Sequence, residues 1–206
     1  MSAIPRHLKI GLILIAIAGV VSYGYFVGAV DRIRSLAHEQ DTETNPFTPP
    51  APLHSSTDPP MDVKIFFPPG TGGSILSSEQ RMIFNSPNLT DRARQILKII
   101  VDGPMANGLQ PAVPKDTKLQ GVFVSTDGVL FVDFSSALSV NHPGGMINEQ
   151  ATIYSIVDSL LYNLHDIQRV KILIGGTEQE TLAGHCLLLL PLEMDLSITE
   201  EATHAN

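Results

Sequence analysis

The sequence is short of the residues from which most catalytic and metal sites are built. It contains a single cysteine, Cys186, so no internal disulfide can form and the redox compartment stays open. His142, His165 and His185 do not show the i, i+4 spacing of a helical zinc site, and no Cys-X-X-Cys pair is present. The Gly-X-Ser-X-Gly elbow of hydrolases is also missing. We therefore predict no catalytic, cofactor-binding or metal-binding residues, and a protein that is not an enzyme.

The sequence also lacks an excess of basic residues. Thirteen lysines and arginines face 21 aspartates and glutamates, which gives a formal net charge of −8. Because an acidic surface repels phosphates, nucleic acid and anionic lipid headgroups are excluded as expected ligands. The glycine-rich segment 70–74 ends in neither Gly-Lys-Ser nor Gly-Lys-Thr, so it predicts a flexible turn and not a phosphate loop.

One long apolar run is present near the N-terminus. Residues 10–30 carry no charged side chain over 21 positions, and at about 1.5 Å per residue they reach about 30 Å, the thickness of a bilayer core. We predict a transmembrane helix here. The alternative is a cleaved signal peptide, because Val27 and Ala29 have the small-residue spacing of a cleavage site.

The predicted helix divides the chain into unequal parts. Two basic residues precede it and two follow it, so charge alone does not set its orientation. We favour a short cytoplasmic N-terminus, a single-pass anchor in the cell (inner) membrane, and an extracytoplasmic C-terminal portion.

Proline enrichment after the anchor predicts an extended linker. The predicted segments are the N-terminus at 1–9, the anchor at 10–30, the linker at 31–61, a folded domain at 62–192 and a polar tail at 193–206.

The first half of the domain shows two strand patterns and one helix pattern. Strands are predicted at 63–67 and 77–84. An apolar stripe at Ala93, Ile96, Leu97, Ile100 and Val101 predicts a helix that Asn88 or Thr90 caps and Gly103-Pro104 ends.

The second half begins with a hairpin signal. Two alternating apolar runs within 118–135 meet at Asp127-Gly128, which predicts a two-residue type I′ turn. Val122 and Val124 are expected on the core face, and Asp133 on the exposed face. A second helix is predicted from Asn148 to Leu164. A strand buried on both faces or central in a sheet is predicted at 170–174, with last strand-like elements around 181–182 and 187–190.

These elements predict an α+β fold, with a small mixed β-sheet and two helices packed on one face. Their order, and the segments ILKIIVDGP, STDGVLFVDFS and VKILIGGTEQETLAGH, resemble the GerMN domain family over residues 96–186. The resemblance implies a domain on a lipoprotein or membrane-tethered protein outside the cytoplasm. This chain departs from the spore-forming members of the family in having a single domain copy and a predicted helical anchor instead of a lipid. The resemblance also implies likeness to the small α/β ring-building modules of envelope complexes, an activity of binding, and no catalytic residues.

Two functional hypotheses follow. The first is a non-enzymatic scaffold that binds envelope proteins through a sheet edge, loops or the apolar residues 187–190; a homo-oligomer stays open. The second is an envelope hydrolase or ligand-binding factor that uses His185 and nearby carboxylates. His185 and Cys186 are expected on opposite faces of a strand, which disfavours a catalytic dyad. Surface roles are expected for the carboxylates, which are Glu149, Asp158, Glu178 and Glu180.

Overall fold

The computed structural model describes residues 58–71 and 73–200. The predicted anchor at 10–30, the segment 1–9 and most of the predicted linker lie outside the described residues. Within the described part of the chain, no helix combines the length and apolar character needed to cross a bilayer.

The first two strands form a separate antiparallel sheet. β1 (Pro60–Phe67) pairs with β2 (Ser77–Phe84), and Ile65 lies opposite Glu79. Both predicted strands are confirmed, although β1 begins at Pro60, within the last residues predicted as linker. Between the strands, the glycine-rich segment turns at Gly70, whose N–H donates to the Gly108 carbonyl at 2.6 Å.

The first predicted helix is confirmed as α1 (Leu89–Asp102). The Asn88 side chain accepts a hydrogen bond from the Thr90 N–H, and Gly103 ends the helix with φ of 90°. The predicted stripe is buried except for half-buried Val101. Gln95 is buried as well, which the sequence analysis missed.

The predicted hairpin forms, but its turn differs from the prediction. β3 (Leu119–Val124) pairs with β4 (Val129–Phe134), and the Gly128 N–H donates to the Ser125 carbonyl at 3.2 Å. Gly128 has φ of 76°, whereas Asp127 is not among the residues with positive φ. A type I′ turn needs positive φ at both positions, so the prediction was wrong. The Ser125 N–H donates to the Val129 carbonyl at 2.9 Å, so the loop has three residues, 126–128, and ends in a left-handed glycine.

The second sheet is mixed, with strand order β3-β4-β5. β5 (Arg169–Ile174) runs parallel to β4, which makes β4 the central strand and β5 an outer one. The single sheet of the prediction was therefore wrong, because the structure has two sheets. The last predicted strands are wrong too: in the described residues, Thr181 meets Leu187, and Val170 meets Leu192, only in isolated bridges.

Two helices follow the hairpin. α2 (Ala137–Val140) is a short helix that was not predicted, and α3 (Met146–Asn163) begins two residues before its predicted start. α1 contacts β1, β2 and β3, while α3 contacts β1 and β5. Each long helix therefore packs against both sheets, not against one face of a single sheet. The main core lies between these elements and includes Ile65, Leu97, Val132 and Ile156.

Side chains from the helices satisfy the outer edges of the first sheet. The Asn163 side chain accepts from the Lys64 N–H at 3.0 Å and donates to the Lys64 carbonyl at 2.7 Å. Ser159 accepts from the Phe66 N–H at 2.9 Å. At the other edge, Gln95 bonds the N–H and carbonyl of Phe84 at 2.8 and 2.9 Å. These contacts replace a neighbouring strand at both edges.

The predicted polar tail packs against the domain as far as it is described. A short 3-10 helix covers Leu196–Ile198, and Leu76 bonds the backbone of Ile198 and Glu200 at 2.7 and 3.0 Å. Leu196 and Ile198 join a second apolar cluster, which includes Phe66. The prediction missed this packing, because the apolar residues of the segment are few and irregularly spaced. Residues 201–206 lie outside the description.

Candidate functional site: a surface built on Glu149

Glu149 lies in the first turn of α3 and is fully buried, with 0% of its surface exposed. Its Oε2 accepts from the N–H groups of Ala183, His185 and Cys186 at 3.1, 3.1 and 2.9 Å. Its Oε1 lies 2.7 Å from Nδ1 of His185. The predicted surface role for Glu149 was wrong: this carboxylate holds the segment 183–186, which we call the Glu149-bound loop.

These contacts keep Glu149 ionised. Burial by itself raises the pKa of the carboxyl group, but the N–H of Cys186, the His185 ring and the other two N–H groups outweigh it and lower the pKa to about 2. The Glu149-bound loop is thus held by a buried negative charge, and both oxygens of this carboxylate accept hydrogen bonds from the loop.

His185 is oriented by Glu149. Because an ionised carboxylate only accepts, Nδ1 of His185 is the donor and Nε2 faces away from Glu149. The Cys186 thiol instead donates to the Met146 carbonyl at 3.8 Å, and burial, together with the Glu149 charge, raises the pKa of that thiol. Within the described residues, His185 and Cys186 are not joined by a hydrogen bond, so the geometry gives no thiol nucleophile.

His142 lies in a neighbouring cleft of about 200 Å³ that Pro68, Pro111 and Pro143 help to line. Its Nδ1 accepts from the Gly144 N–H at 3.0 Å, so in the neutral ring Nε2 donates to Oγ1 of Thr152, also at 3.0 Å. Burial lowers the pKa of His142, although the Glu149 charge opposes this. A neutral, hydrogen-bonded histidine is a structural element of the cleft wall.

The remaining predicted residues lie apart from this site. Asp158 is fully buried, so its predicted surface role was wrong. Asp133 is nearly fully buried, and its Oδ1 accepts from the Gly176 N–H at 2.9 Å. The predicted exposure of Asp133 was therefore wrong as well. Glu180 and His165 are exposed. No group of three or more potential ligands in the described ranges could hold a metal ion.

A buried lysine shapes the loop after the site. Nζ of Lys171 donates to the carbonyls of Leu188 and Leu189 at 2.9 and 2.5 Å, and lies 3.4 Å from the carboxylate of exposed Glu178. Leu188 is buried, while the other leucines of the predicted apolar segment 187–190 are exposed. Three of the four leucines named in the scaffold hypothesis are therefore accessible to a partner.

Exposed apolar side chains gather around the Glu149-bound loop. Met146 and Leu187 are each 63% exposed, and the Met146 carbonyl contacts Cys186, the residue before Leu187. Exposed Ile147 follows Met146 in the chain. Exposed Val140 is placed near the loop by its neighbour Ser139, whose hydroxyl donates to the Leu182 carbonyl at 2.6 Å. We call Val140, Met146, Ile147 and Leu187 the apolar surface.

A family model described as "Germane: Sporulation and spore germination" matches residues 64–180, more than half of the chain. The chain belongs to this family. The predicted resemblance is confirmed, and the match begins before residue 96, so it also takes in the first sheet. No individually curated protein matches the chain significantly.

Solved structures with the same fold include GerMN domains of the sporulation protein GerM from Bacillus subtilis. The first GerMN domain matches with a TM-score of 0.51 and 22% identity, over 66% of this chain and 96% of that one. The tandem GerMN domains match with a TM-score of 0.53 and 20% identity, over 66% of this chain and 46% of that one. The chain thus spans about half of the tandem protein. A candidate lipoprotein from Clostridium perfringens matches with a TM-score of 0.48 and 22% identity, over 68% of this chain and 92% of that one.

Within this Germane domain, sequence reasoning missed the two residues that organise the site. Glu149 stands between the polar residues Asn148 and Gln150 near a helix start, and its buried role depends on a loop that lies 34 to 37 residues later in the chain. Lys171 interrupts the otherwise apolar run 170–174, which was the one available signal of a buried charge. Met146 and Ile147 were missed because the helix was predicted to begin at Asn148.

Proposed function

We propose that this chain is a non-enzymatic protein-interaction module of the cell envelope, in which residues 10–30 anchor the Germane domain outside the cytoplasm. The observation that carries the proposal is the apolar surface around the Glu149-bound loop. Large exposed apolar residues that cluster, and do not occur singly, are typical of sites where another protein binds.

The base of this surface is rigid, which favours binding. Four hydrogen bonds join Glu149 to the loop, so Met146 and Leu187 are held on a preformed support. A preformed surface loses less conformational entropy when a partner binds than a mobile one does. The proline-rich linker at 31–61 supports the same role, because it would let the domain reach a partner away from the bilayer.

The proposal is tested by photo-crosslinking in membranes of cells that express the full chain at its native level. A photoreactive amino acid replaces Met146 in one variant and Met82 in another. Met82 is a matched control, because it is a methionine on β2 with a similar exposure of 66%. We expect a discrete crosslinked protein from position 146 and none from position 82.

A second change shows whether the crosslink reports specific binding. In a Leu187→Asp variant that keeps the wild-type circular dichroism spectrum, the crosslink from position 146 should be lost. A crosslink that survives Leu187→Asp, or one that forms equally from both positions, would contradict the proposal. So would the absence of any crosslinked protein from position 146.

The short contact between His185 and Glu149 is the one observation that favours the second hypothesis, a hydrolase or ligand-binding factor that uses His185. Under the interaction proposal, His185→Gln should leave the crosslink and the phenotype of the chain intact. A folded His185→Gln variant that loses its phenotype while the crosslink persists would support chemistry at His185 instead.

A further inference from the structure

A groove lies between α1 and the start of β3, away from the Glu149-bound loop. It has a volume of about 380 Å³. Its lining residues are Arg94, Lys98, Val101, Asp102, Thr117, Lys118, Leu119, Gln120 and Gly121.

The groove is locally basic although the chain is strongly acidic. Three cationic residues and one anionic residue line it, whereas the whole sequence has a net charge of −8. Arg94 contacts half-buried Asp91 at 3.2 Å, and Lys98 contacts exposed Asp102 at 2.8 Å. An exposed pair such as Lys98 with Asp102 stabilises a protein little, so Lys98 remains available to another carboxylate. The Arg94 side chain keeps 39% of its surface exposed. Lys118 has no ion pair among the described residues.

The groove also has an apolar part and an unsatisfied polar group. Val101 and Leu119 are half-buried and line its wall. Thr117 is buried, and its hydroxyl has no hydrogen-bond partner in the part of the chain that the structure describes. An unsatisfied buried hydroxyl destabilises a protein, so an occupant that hydrogen-bonded to Thr117 would recover part of that loss.

We propose that this groove binds an acidic, extended segment of a partner protein. Carboxylates of the segment would contact Arg94, Lys98 and Lys118, and an apolar side chain beside them would pack on Val101 and Leu119. A long polyanion such as nucleic acid fits less well, because its charges would extend over the acidic remainder of the surface.

The test uses the purified full chain in detergent micelles and two fluorescein-labelled peptides. One peptide alternates glutamate and leucine, and the other replaces each glutamate with glutamine. Fluorescence anisotropy at low salt should show binding of the glutamate peptide, at least about tenfold tighter than that of the glutamine peptide. The affinity should fall as salt is added, since the contacts are exposed to solvent.

Charge reversal locates the binding site. The double variant Arg94→Glu with Lys118→Glu should weaken binding of the glutamate peptide at least about tenfold. The control reverses two distant cations, Arg169→Glu with Arg81→Glu, and changes the net charge by the same amount. We expect the control to bind within about threefold of wild type. Because Arg81 also contacts Glu79 at 2.8 Å, both variants are first compared with wild type by circular dichroism and thermal unfolding.

Four outcomes would overturn the proposal. Three are equal binding of the two peptides, equal weakening by the two double variants, and no binding at low salt. The fourth is that the groove joins two copies of this chain, which sedimentation would reveal as a dimer that the Arg94→Glu, Lys118→Glu variant abolishes. None of these outcomes affects the crosslinking test at Met146, because the groove and the apolar surface share no residue.

Discussion

At the scale of single residues, Glu149 connects the stability of the domain to the shape of its candidate binding surface. The pKa of Glu149 is about 2 in the folded protein against 4.5 for a free glutamate. This difference stabilises the folded state by about 3 kcal/mol above the unfolded pKa, because each pKa unit corresponds to about 1.4 kcal/mol. The contribution is present above about pH 4.5 and is lost as pH falls toward 2.

Replacing Glu149 by glutamine tests this account. The amide side chain would keep one acceptor oxygen, but its NH₂ group would face N–H donors that it cannot bond, so we expect the E149Q variant to lose about 2 to 4 kcal/mol. Urea unfolding at neutral pH measures the loss. The matched control, Glu180→Gln, removes an exposed carboxylate and should change stability by less than about 0.5 kcal/mol. Equal effects of the two changes would refute the role of Glu149.

Asp158 changes the pH dependence of stability in the opposite sense to Glu149, because its pKa is raised and not lowered. Its Oδ1 accepts from the Asp195 N–H at 3.0 Å, while its Oδ2 is buried without a partner among the described residues, and burial raises the pKa to about 7 from 3.8. A raised carboxyl pKa means that stability is fully present below the unfolded pKa and falls as pH rises through 4 to 7. We therefore expect ionisation of Asp158 to weaken the packing of the segment 195–200.

The Asp158→Asn variant isolates this effect. Wild type should lose stability relative to D158N between about pH 4 and 7, and D158N should be the more stable at pH 8, since an amide carries no charge to bury. Thermal unfolding of both proteins across this range gives the difference. His142 has a lowered pKa, which makes stability fall as pH drops below about 6.5. This contribution is the same in both proteins, so it cancels in the difference between their stabilities. A constant difference between the two proteins at every pH would contradict the account of Asp158.

At the scale of elements, the polar side chains that cover the sheet edges are the least expected feature. Asn163→Ala would leave the N–H and carbonyl of Lys64 without their side-chain partner, so we expect it to cost about 1 to 3 kcal/mol. Asn148→Ala serves as the control, because the Asn148 amide donates to the Gly144 carbonyl in an exposed hydrogen bond. Urea unfolding compares the two variants. The interpretation fails if Asn148→Ala costs as much as Asn163→Ala.

The elements that the sequence predicted well are those with a local signal. α1 has an apolar stripe, an asparagine cap and a terminal glycine, all within about 16 residues, and β1, β2 and the hairpin show apolar runs bounded by turns. The division into two sheets was not predictable in this way. It depends on Asn163 and Gln95 occupying strand edges, and polar side chains on helices look the same in the sequence whether they face a strand or water.

In the candidate site, too, the features that depend on distant parts of the chain could not be predicted from the sequence. The apolar residues 187–190 stand out in the sequence as a local run, whereas the burial of Glu149 and Lys171 depends on backbone groups 17 to 37 positions away in the chain. A carboxylate bonded by three N–H groups has no pattern of its own. The pairing becomes visible only when the loop at 183–186 and the start of α3 are brought together by the fold.

At the scale of the whole molecule, the proposed function depends on where the domain is held. Residues 10–30 are uncharged and long enough for a bilayer, so the full chain should stay with membranes after an alkaline wash, and a chain that lacks 10–30 should be released. A release of the full chain by the wash would contradict the anchor. A full-length gene product that appears shortened to about residue 30 would instead support the signal-peptide alternative at Val27 and Ala29.

The orientation of the anchor can be tested through its balanced charges. Arg6 and Lys9 precede the span while Arg32 and Arg34 follow it, so neither side is favoured by basic residues alone. An alkaline phosphatase fused after Asn206 is active only outside the cytoplasm, and we expect activity. The pair Arg32→Glu, Arg34→Glu should raise that activity, and Arg6→Glu, Lys9→Glu should lower it, because basic residues are retained on the cytoplasmic side. If the fusion is inactive in the wild-type chain and becomes active only after Arg32→Glu, Arg34→Glu, the domain faces the cytoplasm and its partner must be sought there.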